Sequence, residues 1–399
     1  MIEWKDYKLS ELGLLQRGRS RHRPRYAFHL YGGDYPFIQT GEIREARKHI
    51  TSYEKTYSEA GLEQSKLWPK GTLCITIAAN IAELAILSFD SCFPDSVLGF
   101  IPNNEIVDLD FIYYILTHFQ RELKHVGEGS VQDNINMGTF QDIQFPIPPL
   151  PEQKAIASVL SSLDDKIDLL HRQNKILESM AETLFRQWFV VEAQEEWEWV
   201  ELGQFIEVMR GLSYKGAGLA EKGNGLPMHN LNSVYEGGGY KFEGIKYYSG
   251  EYKERHLVKP GDVIITNTEQ GHDLLLIGYP AIVPKYFGDL GIFSQHIYRL
   301  RLTDKRLTEP FLYYLLMSYD VREQIAGATN GSTVNMLSKD GVEWVRLKKP
   351  PDEKIEMFTA IVKPFLEKKE SNYPQIRALE KLRDTLLPRL MSGEVRVSV

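Results

Sequence analysis

Apolar residues recur along this chain with two different periods, and each period appears twice. Short apolar runs opened by a glycine turn predict buried strands: Leu73-Cys74-Ile75-Thr76-Ile77 after Gly71, and Val263-Ile264-Ile265-Thr266 after Gly261. The blocks Phe111-Ile112-Tyr113-Tyr114-Ile115-Leu116 and Phe311-Leu312-Tyr313-Tyr314-Leu315-Leu316 predict amphipathic helices. Longer stripes follow each block. After Pro148-Pro149-Leu150-Pro151 come Ile156, Leu160, Leu163, Ile167, Leu170, Asn174, Leu177, Ala181, Leu184 and Trp188. Their steps alternate four and three without a break, which is a coiled-coil seam, and Pro151 suits its first turn. The second stripe runs Ile355, Phe358, Val362, Phe365, Lys369, Asn372, Ile376, Leu379, Arg383, Leu386 and Leu390. It keeps the phase but sets Lys369 and Arg383 on the seam, and Pro364 and Pro374 predict a kink or break. Two stripes of matching phase predict that the helices pair with each other. Asn174 and Asn372 share one phase, and a buried Asn can fix register at a cost in stability. Whether they meet depends on a stagger that the stripes leave open.

The whole chain is in fact written twice. The two Phe-x-Tyr-Tyr blocks stand 200 residues apart. Upstream, Pro69-Lys70-Gly71-Thr72 answers Lys259-Pro260-Gly261-Asp262; downstream, Pro148-Pro149 answers Pro350-Pro351 and Leu177-Glu178 answers Leu379-Glu380. Block order is kept while the intervening segments diverge. The fold expected is α+β, with two mixed α/β domains related by the repeat and two long helices packed as an antiparallel coiled coil. The boundaries fall at 1–150 for the first domain, 151–192 for the first helix, 193–350 for the second domain, and 351–399 for the second helix and tail.

Composition changes little in that picture. At 399 residues, 43% hydrophobic and 25% charged, the chain fits two ordinary globular cores with connecting elements. It has no apolar stretch fit to cross a bilayer, and Met1-Ile2-Glu3-Trp4-Lys5-Asp6 lacks the regions of a signal peptide. Cys74 and Cys92 offer neither a disulfide framework nor a zinc site, so a reducing cytoplasm is the expected compartment. The net charge of −7 speaks against a free-standing DNA binder unless the basic residues cluster or a partner supplies phosphate contacts.

They do cluster. Arg17, Arg19, Arg21, Arg23 and Arg25, with His22 among them, form a run that no acid interrupts, suited to phosphates and to guanine edges. Arg210, Tyr214 and Lys215 hold the corresponding place in the second copy with far less charge. Gln39, Thr40, His229, Asn230 and Asn232 follow a predicted turn in each copy and carry groups that read base edges or phosphates, or that cap strand ends. Asn80, Asn267, Thr268 and Gln270 follow the buried strands, with the same two readings. Ser130, Gln132 and Asn134 in one loop, and Thr333 and Asn335 in its repeat, either approach phosphate or cap the next element.

Enzyme signatures are absent. There is no Asn-Pro-Pro-aromatic or Asp-Pro-Pro-aromatic motif, no Walker loop, and no metal-ligand spacing among the ten histidines. Gly216-Ala217-Gly218 lacks the strand–turn–helix setting of a dinucleotide site, and Asp352 and Glu353 read as first-turn helix charges. A non-catalytic sequence reader is the expectation. A scaffold whose modules bind proteins is the alternative, and the arginine run favours DNA.

The segment Phe145-Pro146-Ile147-Pro148-Pro149-Leu150-Pro151-Glu152-Gln153-Lys154-Ala155-Ile156 resembles the DNA-specificity subunits of type I restriction–modification systems. So does Leu386-Leu387-Pro388-Arg389-Leu390-Met391-Ser392-Gly393-Glu394-Val395, and the resemblance covers almost the entire chain. The second copy departs from it: Pro350-Pro351-Asp352-Glu353-Lys354-Ile355 lacks the glutamine. The resemblance implies two target-recognition domains, each reading half of an asymmetric, interrupted site on double-stranded DNA. It implies helices that set the gap and dock two methyltransferase subunits. Cofactors would then sit elsewhere: S-adenosylmethionine on the methyltransferases, ATP and magnesium on restriction subunits. The methylated base would be an adenine flipped into a partner's pocket. The predicted rod, at ~1.5 Å per residue, spans roughly 50 Å, against ~34–36 Å per turn of DNA.

Overall fold

The computed structural model describes residues 4–21, 24, 26–78, 81–128, 143–270, 273–331 and 334–397, with the side chains of 121–128 left aside. Two compact units result: Met1–Leu170 with Ile376–Val399, and His171–Gln375. Five helices matter below: α1 (Leu109–Glu128), α2 (Leu150–Arg186), α3 (Glu309–Met317), α4 (Tyr319–Gly327) and α5 (Asp352–Met391).

In the first unit, a five-stranded sheet has the order Gly13–Arg17, Val97–Pro102, Leu73–Thr76, Leu84–Leu87, His49–Ile50. A second sheet carries Lys55–Tyr57, Tyr31–Phe37, Ser91–Cys92 and Leu67–Trp68, with Phe37 and Cys92 paired in parallel. Strands Lys5–Lys8 and Gln144–Ile147 form an antiparallel ribbon that brings the ends of the module together just before α2. The second unit repeats each of these pieces. Its four-stranded sheet runs Ile206–Arg210, Ile297–Leu302, Val263–Thr266, Pro280–Ile282. A parallel pair joins Leu226–His229 to Gly291–Phe293, and the closing ribbon is Trp199–Glu201 with Arg346–Lys348. The glycine turns also repeat. Gly71 and Gly261 have φ of +83° and +91°, which a Cβ would strain, and each donates its N–H to a strand carbonyl, Leu87 or Val283, at 2.9 Å.

The expectation that the Phe-x-Tyr-Tyr helices are amphipathic holds for α1 over its full length and needs correcting for the shorter, apolar α3. Phe111 to Leu116 are six consecutive buried residues, and so are Phe311 to Leu316. In the first unit α1 shares a core with the sheet residues Leu73, Ile75 and Phe100 and with Ile156, Ala157 and Leu160 of α2. Along the block itself the helix is covered on both sides and has no solvent face to keep polar. The tyrosines of α1 keep their hydroxyls satisfied: Tyr113 donates to the carbonyl of Arg47 and Tyr114 to Asp164.

Both long helices form, and every seam position is at least half-buried. The break expected at the prolines does not occur, because α5 runs unbroken over 40 residues. Pro364 and Pro374 both lie on its exposed side, where water can satisfy a carbonyl that loses its N–H partner. Within each unit the helices run antiparallel. In the first, Glu152 meets Arg396, Asp164 meets Arg383 at 2.8 Å, and Ile167 and Leu170 pack on Ile376 and Leu379. In the second, Asn174 and Gln173 meet Asn372, Glu178 meets Lys369, and Glu192 meets Lys354. The two polar breaks in the second stripe are thus answered by carboxylates of the first. Each carboxylate also takes a hydroxyl from the module beside it: Asp164 from Tyr114 at 2.7 Å, Glu178 from Tyr313 at 3.2 Å. A tyrosine, an acid of α2 and a base of α5 therefore tie each module to the helix pair.

The missing glutamine of the second copy also has a structural meaning. Gln153 is fully buried; it donates to the carbonyls of Ile106 and Pro148 and accepts from the N–H of Asp108. At the start of α5, where no glutamine stands, Lys349 forms an ion pair with Asp352.

Candidate nucleic-acid interface

Strand Gly13–Arg17 delivers the first part of the arginine run to the surface. Gly18 follows with its N–H on the carbonyl of Val97 at 2.8 Å, and a Cβ there would collide with Phe93 and Pro94. Arg19 is then turned inward. Its N–H bonds to Phe93 at 3.1 Å, and its guanidinium reaches the carbonyls of Glu63 and Gln64 at the C-terminal end of the short helix Glu59–Glu63. Arg17 and Arg21 stay exposed. His22, Arg23 and Arg25 lie outside the described residues.

The second copy follows the same pattern at its strand end. Strand Ile206–Arg210 ends on exposed Arg210; Gly211 closes against Phe293 and Ser294; and Leu212 donates its N–H to Phe293 at 2.8 Å. Leu212 thus stands where Arg19 does and packs in an apolar cluster with Met228, Tyr248 and Ile292. Lys215 is exposed, and the Tyr214 hydroxyl accepts from Lys246 at 3.3 Å.

The residues after the next strand also correspond. Gln39 precedes the helix Thr40–Glu45, and Asn230 precedes the turn Leu231–Ser233. Gln39 and Thr40 are half-exposed, and Lys55 donates to Gln39 Oε1 at 3.2 Å. Asn230 is buried, with its amide on the carbonyls of Met228 and Gly244 and its Oδ1 accepting from the N–H of Asn232. His229 is buried beside Tyr240, its Nδ1 2.7 Å from the hydroxyl, and burial holds its pKa down to about 3, so the ring is neutral. The structure spends the polar atoms of His229 and Asn230 inside the fold. Asn232 is the exposed member of that group.

Asn267, Thr268 and Gln270 come together with the last loop. Strand Thr268–Gln270 pairs with Val334–Leu337, setting Glu269 opposite Asn335 and Gln270 opposite Val334. Asn267 is buried with its amide on the carbonyl of Gln295, and Thr268 Oγ1 lies 3.1 Å from His296 Nδ1. Gln270 is exposed at the strand end, whereas Asn335 is buried. Glu269 shapes the neighbouring turn, accepting from the N–H groups of Leu275, Leu276 and Ile277. Asn80, Ser130, Gln132, Asn134 and Thr333 lie outside the described residues.

Sequence reasoning missed several polar neighbours. Lys66 lies over Trp68 at 3.8 Å and donates to Gln16 at 2.8 Å, beside Arg17; burial lowers its pKa. Lys55 joins Gln39, and Gln295 and His296 join Asn267 and Thr268. No local signal marks these residues; only the fold brings them to their partners. Cys74 and Cys92 are buried free thiols, with burial pushing both upward in pKa. Among the described residues no His, Cys, Asp and Glu gather to hold a metal, and no helix is long and apolar enough to cross a membrane.

Two modules of matching pattern, each ending a strand on an exposed arginine and each tied to the helix pair, define a duplicated recognition protein. The profile of the type I restriction modification DNA specificity domain matches residues 1–179 and again 194–380, and the chain belongs to that family. It is 27% identical to the MjaIX specificity subunit of Methanocaldococcus jannaschii, over 99% of this chain and 94% of that one. It is 23% identical to the HindI specificity subunit of Haemophilus influenzae, over 99% of this chain and all of that one. The crystal structure of a type I S subunit from M. genitalium shares the fold, with a TM-score of 0.64 at 17% identity, covering 98% of this chain and 96% of that one.

Proposed function

We propose that this chain reads a split, asymmetric site on double-stranded DNA, one half per module, and positions two methyltransferase subunits that carry S-adenosylmethionine. The chain itself does no chemistry and binds no cofactor. Restriction subunits with ATP and magnesium join the same assembly, in the cytoplasm. The observation that carries this reading is the duplication at the level of the surface: Arg17-Gly18 and Arg210-Gly211 leave equivalent strands in the same way, while the residues around them differ. Equal scaffolds with unlike side chains suit two unlike half-sites. A 37-residue α2 has a length of about 55 Å, enough to reach past one turn of duplex.

The test is methylation mapping in cells that express the chain with its partner methyltransferase. Modified adenines at a bipartite motif, lost when the chain is deleted, support the proposal. An unchanged pattern with the complex still assembled refutes it in favour of a protein scaffold. Exchange of residues 1–150 for another member's domain changes one half-site only; a change in both halves refutes the division of labour.

A further inference from the structure

The arginine run of the first module leads into an aromatic pair that the proposed DNA contact has not yet used. Tyr26 and Phe28 are 78% and 95% exposed. Phenylalanine is among the residues most often buried, so one held almost wholly in water asks for a reason.

Nothing about its backbone is loose. Phe28–Leu30 is a 3₁₀ turn; the N–H of Ala27 bonds to Pro24, that of Leu30 to Ala27, and that of Tyr31 to Phe28. The His29 carbonyl accepts from Ser58 Oγ at 2.7 Å and the Leu30 carbonyl from the Ser58 N–H at 2.9 Å. Leu30 itself is buried with Phe37, Tyr57 and Cys92. With Leu30 anchored inward, the turn holds Phe28 outward.

The setting of this projection is cationic. Ser58 caps the short helix Glu59–Glu63, and Arg19 grips the carbonyls of Glu63 and Gln64 at its other end. The aromatic turn and the arginine segment are thus pinned to opposite ends of one helix with a rise of about 7 Å, roughly two base-pair steps. From Arg17 to Gly33 the sequence has no acid. Of the neighbouring acids, Glu59 holds the Tyr35 hydroxyl, and Glu63 and Asp34 are exposed.

We infer that Phe28, with Tyr26 beside it, is a wedge that enters the stack at one base step of the half-site read by the first module, while Arg17 and Arg21 hold the flanking phosphates. This inference rests on the DNA-reading function proposed above. Apolar side chains inserted between base steps unstack and kink a duplex, and base–aromatic stacking tolerates sequence while favouring easily opened steps. Among the described residues the second module shows no equivalent beside its arginine strand end: Tyr214, the aromatic nearest it in sequence, is half-buried with its hydroxyl engaged by Lys246. The distortion therefore belongs to one half-site.

The test uses the full chain with its methyltransferase partner and duplexes carrying the mapped site, with 2-aminopurine placed at successive positions other than the methylated base. Beyond the methylated adenines and their immediate neighbours, the wild type brightens one step in the first module's half-site and none in the other. Phe28→Ala abolishes that signal and weakens binding about ten-fold, and Phe28→Trp keeps both. Because Phe28 lies outside the core, loss of folding is not expected, and an unchanged melting curve checks it. Tight binding with no brightened step, or brightening equal in F28A, overturns the wedge and leaves the DNA-reading function standing. Failure of the wild-type complex to bind the site overturns both. Loss of the methyltransferase from F28A preparations, with DNA brightening intact, assigns Phe28 to a protein contact and also overturns the wedge.

Discussion

Arg383→Met in α5 tests the tie between module and helix pair in the first unit. The Arg383 guanidinium sits 2.8 Å from Asp164, with side chains 30% and 15% exposed, and Asp164 also accepts from Tyr114. Two unit charges at such a distance attract by several kcal/mol at an effective dielectric near 20, and desolvation cancels most of that gain, so the intact pair is worth about zero to 2 kcal/mol. Removing one partner is different, because the carboxylate stays behind. Breaking a fully buried pair costs about 3–5 kcal/mol, and the partial exposure here lowers the expected loss to about 2–3 kcal/mol. Asp164→Asn together with Arg383→Met removes both charges and leaves an amide oxygen for the Tyr114 hydroxyl. That double variant should lie within about 1 kcal/mol of wild type, giving a coupling energy of about 2 kcal/mol. Urea unfolding of the full chain, with both single variants and the double, measures the cycle. A coupling below about 0.5 kcal/mol would place the pair with ordinary surface ion pairs and refute the reasoning.

Further expectations concern pH, register and DNA. Burial holds folded His229 near 3 while an unfolded histidine titrates near 6.5, so the unfolded chain binds more protons between these values. Its contribution is intact above pH 6.5 and drains as pH falls toward 3, at up to about 1.4 kcal/mol per pH unit; His229→Gln flattens the acid limb of a melting series, and an unchanged limb contradicts this. Asn372 is fully buried with its Oδ1 unpartnered, while Gln173 and Asn174, which accept from it, can turn to water. Asn372→Leu gives up two bonds of about 1 kcal/mol each but removes an orphaned acceptor and adds apolar burial, so the unfolding free energy rises by roughly 1–2 kcal/mol; a lowered urea midpoint refutes the bookkeeping. Charge reversal at Arg17 and Arg21 weakens binding to all duplexes and lowers the salt slope by about 2. Arg19→Glu also loosens the fold around Glu63 and Gln64, visible as faster hydrogen exchange there, whereas R17E is silent in that assay.

Periodic features were legible because they need no partner to be seen. The repeat, the strands after Gly71 and Gly261, and both seams follow from spacing within one segment. What the sequence concealed depends on two segments at once. Lys369 and Arg383 look like flaws until the stagger sets Glu178 and Asp164 against them. Pro364 and Pro374 look like breaks until the seam shows that both face water. Among the site residues, Arg17 was legible as part of a basic run and Arg210 as its counterpart, but the inward turn of Arg19 required the helix end at Glu63, forty-four residues on. His229 and Asn230 have the chemistry of base readers and the burial of core residues, and only packing separates those roles.

The first unit is assembled from two distant stretches of chain. Leu390 and Met391 belong to the same core as Leu9, Phe111 and Phe145, and Arg396 lies over Trp4. The second unit is one uninterrupted stretch. On a ribosome adding about 5–20 residues per second, the first module waits roughly 10–40 s after residue 170 emerges for the segment that seals it. During that interval an apolar face meant for α5 is open to chaperones and to other nascent chains. The second module faces no such gap. A messenger cut short before residue 386 yields a first module whose core lacks Leu386, Leu387, Leu390 and Met391, and its open apolar face is the kind of surface that chaperones bind.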